Sequence, residues 1–221
     1  MNAMILAAGK GERMLPLTLT TPKPLLQAGG KPLIQYHIEA LVAANVSRIV
    51  INTGRLGEQI EAWFGNDGRY GVELLYSHEG AEPLGTGGGI FRALPLLGAD
   101  PFWLVNGDVW TDFDYSKIPV NIVDQAHLIL VDNPQHNPDG DFILSGSRVM
   151  LVGQPRLTYS GIGLYQPGLF MSVREPLFSL VPLLKQAIGL GQVSGQHYSG
   201  NWFDIGTPDR LEALNQRLIE N

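Results

Sequence analysis

Residues Ala3 to Ala8 form a short apolar run that stops at Gly9 and Gly11. The run has no alternating polar face, which is the pattern of a buried strand, and the glycines that follow predict a tight turn. A buried strand feeding a glycine-rich turn is where α/β proteins hold phosphate. The rest of the N-terminal half repeats the rhythm. Pro32 opens a predicted helix whose Ile34, Ile38, Leu41 and Val42 share one face. Arg48 to Asn52 reads as a strand, Leu56 to Phe64 as a helix and Val72 to Tyr76 as a third strand. A second glycine-rich segment, Gly85-Thr86-Gly87-Gly88-Gly89, precedes a helical pattern with Ile90, Phe91, Leu94 and Leu97. Phe102 to Val105 then forms a strand that ends at Asn106-Gly107-Asp108. This alternation predicts a parallel sheet covered by helices, with Asp108 at the C-terminal edge where ligands gather.

From about Ala126 the rhythm changes to shorter strands, at Ala126 to Val131, Phe142 to Leu144, Arg148 to Leu151 and Leu157 to Leu164. They predict a partly antiparallel lobe rather than further βαβ units. Leu177 to Leu190 is a helix, and Trp202 to Ile205 a late strand carrying Asp204. Thr207 and Pro208 supply the cap and first position of a closing helix.

The 221 residues, 44% of them hydrophobic, suit one full-sized core, so a single domain is expected. A net charge of -6 gives no general attraction for nucleic acid or an anionic membrane. The absence of cysteine removes thiolate chemistry and cysteine-ligated metals. No apolar run reaches the length of a signal peptide or membrane span, so a cytoplasmic protein is expected. The five histidines show no metal-ligand spacing and read as structural or surface residues, and the four tryptophans as core.

Four constellations carry chemistry, one of them Glu79 with the glycine-rich helix entry Leu84-Gly85-Thr86-Gly87-Gly88, whose glycines permit close backbone approach or serve only the helix entry. In the first, Ala7, Ala8, Gly9 and Gly11 let backbone N–H groups approach phosphate, while Arg13 and Lys23 supply fixed positive charge. A lone Gly-x-Gly is also an ordinary turn; the arginine and the Pro22-Lys23-Pro24 segment favour a triphosphate cradle. It is neither a Walker loop nor a dinucleotide fingerprint, since Met14 stands where the third glycine belongs. In the second, Asp108 and Asp204 both end strands, and a pair of carboxylates suits a hard cation such as Mg²⁺, although each could equally cap a turn. In the third, short polar groups at Asn106, in Asp139-Gly140-Asp141-Phe142 and in Ser160-Gly161-Ile162-Gly163 can meet sugar hydroxyls.

Leu6-Ala7-Ala8-Gly9-x-Gly11-x-Arg13, Pro16-Leu17-Thr18 and Pro22-Lys23-Pro24-Leu25 together resemble the signature of the sugar-1-phosphate nucleotidyltransferase family. The resemblance implies a Rossmann-like nucleotidyltransferase fold of the α/β class. Its mixed, mostly parallel central sheet would be flanked by helices, with a small antiparallel acceptor lobe. Residues 1–125 would mainly bind nucleotide and residues 126–221 mainly sugar. It implies a catalytic set of Arg13, Lys23 and Asp108, and nucleotide contacts from Ala7, Ala8, Gly9, Gly11, Glu12, Arg13, Lys23, Glu79, Gly85 and Thr86. It also implies sugar contacts from Asn106, Asp141 and Gly163, and Mg²⁺ on Asp108 and Asp204.

The sequence departs from the pattern at Leu15, where many members carry a basic residue, and at Glu79, often Gln. Gly153-Gln154-Pro155 stands where related thymidylyltransferases place Glu-Lys-Pro, so their acceptor-phosphate lysine is missing. Gly87 to Phe91, Val105 to Asp112, Val131 to Pro134, Gly140 to Phe142 and Ser194 to Tyr198 are similar to the subgroup that uridylylates N-acetylmuramate 1-phosphate in cell-wall recycling. Its substrates would be UTP and a sugar 1-phosphate, with neither nucleic acid nor membrane as partner, in a monomer or small homo-oligomer. Transfer to glucose or mannose 1-phosphate or to phosphocholine, and a catalytically silent sugar-nucleotide sensor, stay open beside it; an NAD-dependent dehydrogenase is the weakest alternative.

Overall fold

The computed structural model describes residues 1–66, 68–80, 82–118, 122–171, 173 and 177–220. Its N-terminal half contains β1 (Asn2–Leu6), β2 (Gln27–Ala28), β3 (Lys31–Pro32), α1 (Leu33–Ala43), β4 (Arg48–Thr53) and α2 (Gly57–Phe64). β5 (Glu73–His78), α3 (Gly85–Leu97), β6 (Phe102–Asn106) and β7 (Val109–Thr111) follow. The second half holds β8 (Ala126–Val131), β9 (Ile143–Ser145), β10 (Arg148–Met150), β11 (Thr158–Tyr165) and α4 (Leu180–Gly189). It closes with β12 (Val193–Tyr198), β13 (Trp202–Asp204) and α5 (Pro208–Glu220).

The apolar run at the N-terminus becomes β1, paired in parallel with β4 on one side and β6 on the other. Side chains alternate between two cores, as the two-residue period of a strand requires. Ala3 and Ile5 face the core covered by Ile34, Ile38 and Leu41 of α1 and by Ile60 and Phe64 of α2. Met4 faces the opposite core, with Ile90, Ala93 and Leu97 of α3 and Leu180, Leu184 and Ile188 of α4. Burial on both faces explains why β1 shows no polar alternation.

A single sheet of nine strands results, ordered β5, β4, β1, β6, β11, β8, β12, β10, β9. Only β11 and β10 run against the others, so the sheet is mixed and mostly parallel. The antiparallel strands of the second half extend this sheet: β11 is inserted between β6 and β8. Small two-stranded sheets, β13 with β7 and β2 with β3, lie outside it. A third core of Met14, Leu26, Ala28, Leu33, Ile205 and Leu214 ties the segment after β1 to β13 and α5. Thr207 caps α5 as expected, its hydroxyl accepting from the Arg210 N–H at 3.4 Å. Of the tryptophans, Trp103 is fully buried whereas Trp63 is exposed. Among the described residues no helix is long and apolar enough to cross a membrane.

His37, buried on α1, fastens β7 through its Nε2, 2.7 Å from the Val109 carbonyl oxygen. Burial is the chief influence on the ring and pushes its pKa down from 6.5 to about 4, against opposing pulls from the Val109 carbonyl and Asp108. The unfolded chain therefore takes up this proton at higher pH than the folded one. The stabilisation is complete above pH 6.5 and is lost as pH falls toward about 4, on the order of 3 kcal/mol in all. Urea unfolding between about pH 7 and about pH 5 should show this decline in the wild type and a flatter one in His37→Gln.

Candidate active site

The ends of β1 and β6 lie side by side, with Leu6 in register with Asn106 and the Gly107 N–H donating to the Leu6 carbonyl oxygen at 2.9 Å. The chain after β1 is steered by Asn52 at the end of β4, whose Oδ1 accepts the Ala7 N–H at 2.7 Å. Gly11 has φ 66, and a Cβ there would stand 2.9 Å from the Thr18 methyl. Only glycine supplies that turn without strain. The Thr18 hydroxyl donates to the Gly11 carbonyl oxygen at 2.8 Å, closing the loop on itself.

The loop borders a cavity of about 580 Å³ at the C-terminal edge of the sheet. All the nucleotide-site residues expected from sequence line it: Ala7, Ala8, Gly9, Gly11, Glu12 and Arg13; Lys23; and Glu79, Gly85 and Thr86. Asn106 and Asp108 line it too.

Pairing of β13 with β7 brings the backbone that carries Asp204 beside that of Asp108, although Asp204 itself is not among the residues lining the cavity. Asp204 sits opposite Val109, and the Ile205 N–H donates to the Asp108 carbonyl oxygen at 2.9 Å. Each carboxylate has its own cation. Lys23 Nζ lies 2.8 Å from Asp108 Oδ2, with the lysine side chain only 10% exposed. Arg210 lies 2.8 Å and His136 Nε2 3.0 Å from Asp204 Oδ2. Oδ1 of both aspartates has no hydrogen-bond partner among the described residues, and Arg13 has no side-chain partner there either. Two carboxylates with a free oxygen each fit a hard divalent cation. No group of three or more metal-ligating residues exists among the described residues, so the remaining ligands would come from substrate phosphates and water.

The loop that enters α3 is more committed than its sequence suggests. Glu79 Oε1 accepts from Asn52 Nδ2 at 2.5 Å, and Oε2 accepts from the Leu84 N–H at 2.7 Å. Thr86 Oγ1 accepts the Leu180 N–H at 3.0 Å, and the Phe178 carbonyl oxygen takes the Gly87 N–H at 3.0 Å and the Gly88 N–H at 3.2 Å. The Gly87 and Gly88 amides in the first turn of α3 are thus already satisfied. A Cβ on Gly89 would collide with Glu79 Oε1 and lie 2.9 Å from Asn52 Nδ2, so the glycine is there for packing against this pair.

Of Asn106, Asp141 and Gly163, which were expected to meet the sugar, only Asn106 is brought to the cavity, resting against Gly161. Asp141 Oδ2 instead accepts the Tyr159 N–H at 2.8 Å and Asn137 Nδ2 at 3.3 Å in an exposed loop. Gly163 lies inside the sheet, between Leu104 of β6 and Leu128 of β8. Sequence reasoning missed Asn52, Arg210 and His136. Only Asn52 carries a visible signal, as a polar residue closing the apolar run Ile49-Val50-Ile51.

A sequence family described as Nucleotidyl transferase matches residues 2–142. The chain belongs to this family. As a nucleotidyltransferase it is 50% identical over 223 residues to the N-acetylmuramate alpha-1-phosphate uridylyltransferase of Neisseria meningitidis serogroup B, covering 96% of each chain. A protein of the same name from Caulobacter vibrioides is 33% identical over 236 residues, with 99% of this chain and 97% of the relative covered. Solved structures share the fold. A Bacillus anthracis protein crystallised with sucrose superposes with a TM-score of 0.86 at 21% identity, covering 100% of this chain and 96% of that one. HddC from Yersinia pseudotuberculosis complexed with GMP-PN gives 0.80 at 23%, with 98% of each covered.

Proposed function

We propose that this nucleotidyltransferase transfers the uridylyl group of UTP to N-acetylmuramate α-1-phosphate, releasing pyrophosphate, in the cytoplasmic recycling of cell-wall sugar. The observation that carries it is the meeting of a glycine-rich loop, Arg13, Lys23 and Asp108 at one cavity, with Asp204 beside its Gly206 wall, in a chain half identical to a relative bearing that activity's name. Residues 1–125 would chiefly hold UTP and residues 126–221 the sugar.

In this reading an oxygen of the acceptor phosphate attacks the α-phosphorus of UTP. The bond between that phosphorus and its bridging oxygen to the β-phosphate breaks, and pyrophosphate leaves with the electron pair. The backbone of Ala7 to Gly11 positions the triphosphate; Arg13 and Lys23 stabilise charge moving onto pyrophosphate. Asp108 and Asp204 would hold Mg²⁺, which when bound neutralises the reacting phosphates. Glu79 keeps the base-side loop in place through Asn52 and Leu84, and Gly85 and Thr86 bring backbone to the base.

Purified protein with Mg²⁺ and UTP should release pyrophosphate only when a sugar 1-phosphate is added, and mass spectrometry should find the UMP moiety on the sugar phosphate. UTP should outperform dTTP, CTP and GTP. Equal release without acceptor would mean hydrolysis and would sink the reading.

A further inference from the structure

The chain has an uncharged Gly153-Gln154-Pro155 segment, and Lys10, Arg13 and Lys23 are the lysines and arginines in the cavity lining among the described residues. Yet the acceptor phosphate has to come within about 3.5 Å of the α-phosphorus, against the repulsion of a triphosphate. A cation beside the reaction centre, additional to those that hold the triphosphate, would offset this repulsion. Lys10 is drawn outward to Glu82, at 2.9 Å. Lys23 lies with Asp108, and Arg13 belongs to the phosphate loop itself.

Arg210, on the first turn of α5, is placed differently. Its guanidinium and that of Arg13 both border Gly206, which lines the cavity: a Cβ on that glycine would lie 3.0 Å from one and 3.4 Å from the other. Asp204 Oδ1 borders the same gap at 3.5 Å. Two guanidiniums thus converge with one carboxylate between them, an excess of positive charge where a glycine leaves room. The Arg210 side chain is 29% exposed, open enough to meet a ligand. Its planar fork suits phosphate, which it can hold by two parallel hydrogen bonds.

Resting on the functional reading above, we propose that Arg210 binds the phosphate of the sugar 1-phosphate acceptor. Asp204 holds the guanidinium in position through Oδ2, an oxygen it shares with His136 from the loop after β8. This assigns the sugar-phosphate contact to the helix that follows β13.

The test uses Arg210→Gln and Arg210→Lys with two readouts. Steady-state kinetics gives separate KM values for N-acetylmuramate 1-phosphate and UTP, together with the Mg²⁺ concentration needed for half-maximal rate. Calorimetric titration of N-acetylmuramate 1-phosphate, with Mg²⁺ and a UTP analogue whose α–β bridge is methylene, measures acceptor affinity without turnover. Arg210→Gln should weaken the acceptor by roughly 10- to 100-fold in both, leaving the UTP KM within about twofold, and Arg210→Lys should recover part of the loss. Unchanged acceptor affinity would overturn the assignment. So would parallel increases in UTP KM and Mg²⁺ requirement, which would make Arg210 only a brace for Asp204. Failure of the functional reading looks different: acceptor affinity would still depend on Arg210, while the wild type released no pyrophosphate.

Discussion

Lys23→Ala should lower turnover by about 10²- to 10³-fold while the protein stays folded. The lysine is the most buried cation at the cavity, and its Nζ is held 2.8 Å from Asp108 Oδ2. A charge kept in place beforehand stabilises the leaving pyrophosphate without reorganising during reaction, which is why its loss falls on kcat. Stability should change by only about 1 kcal/mol, because Asp108 is 37% exposed and water replaces its partner. Single-turnover rates and thermal melts of the same preparation separate the two effects. Near-normal turnover in a folded Lys23→Ala protein would remove the lysine from the mechanism.

Gly89→Ala should do the opposite, damaging the fold first and activity through it. The added methyl enters space held by the Asn52–Glu79 pair, both buried and both committed elsewhere: Asn52 to the Ala7 N–H, Glu79 to the Leu84 N–H. One substitution thus loosens the loops on both sides of the cavity. Overpacking plus a broken buried hydrogen bond should cost roughly 2 to 4 kcal/mol, a fall in Tm on the order of 5 to 15 °C. Alanine on a helix is otherwise more favourable than glycine, so unchanged or raised stability would show that the pair moves aside freely.

The different legibility of the two halves has a physical cause. β1, α1, β4, α2, β5, α3 and β6 each bury an apolar stripe or run, and their period could be read directly, whereas the two-residue strands β2 and β3 could not. Strand β12 could not, because Ser194, Gly195, Gln196 and His197 carry no apolar alternation; its place comes from pairing along the buried strand β8. The glycine loop at the cavity was legible because glycine, arginine and lysine at fixed spacing are local features. The sugar side was not: Asp141 and Gly163 have the residue types of a polar site, but the hydrogen bonds and pairings that absorb them come from Tyr159, Leu104 and Leu128. Asp204 was placed correctly as a strand end, whereas its ties to Arg210 and His136 depend on tertiary contacts between β13, α5 and a distant loop.

Pyrophosphate release with Mg²⁺ and UTP is the direct measure of uridylyl transfer to an N-acetylmuramate phosphate. N-acetylmuramate 1-phosphate, glucose 1-phosphate and N-acetylglucosamine 1-phosphate would be compared as acceptors. The kcat/KM for the muramate should be at least roughly tenfold above the other two. Equal or better use of glucose 1-phosphate, or no release with any of the three, would contradict it.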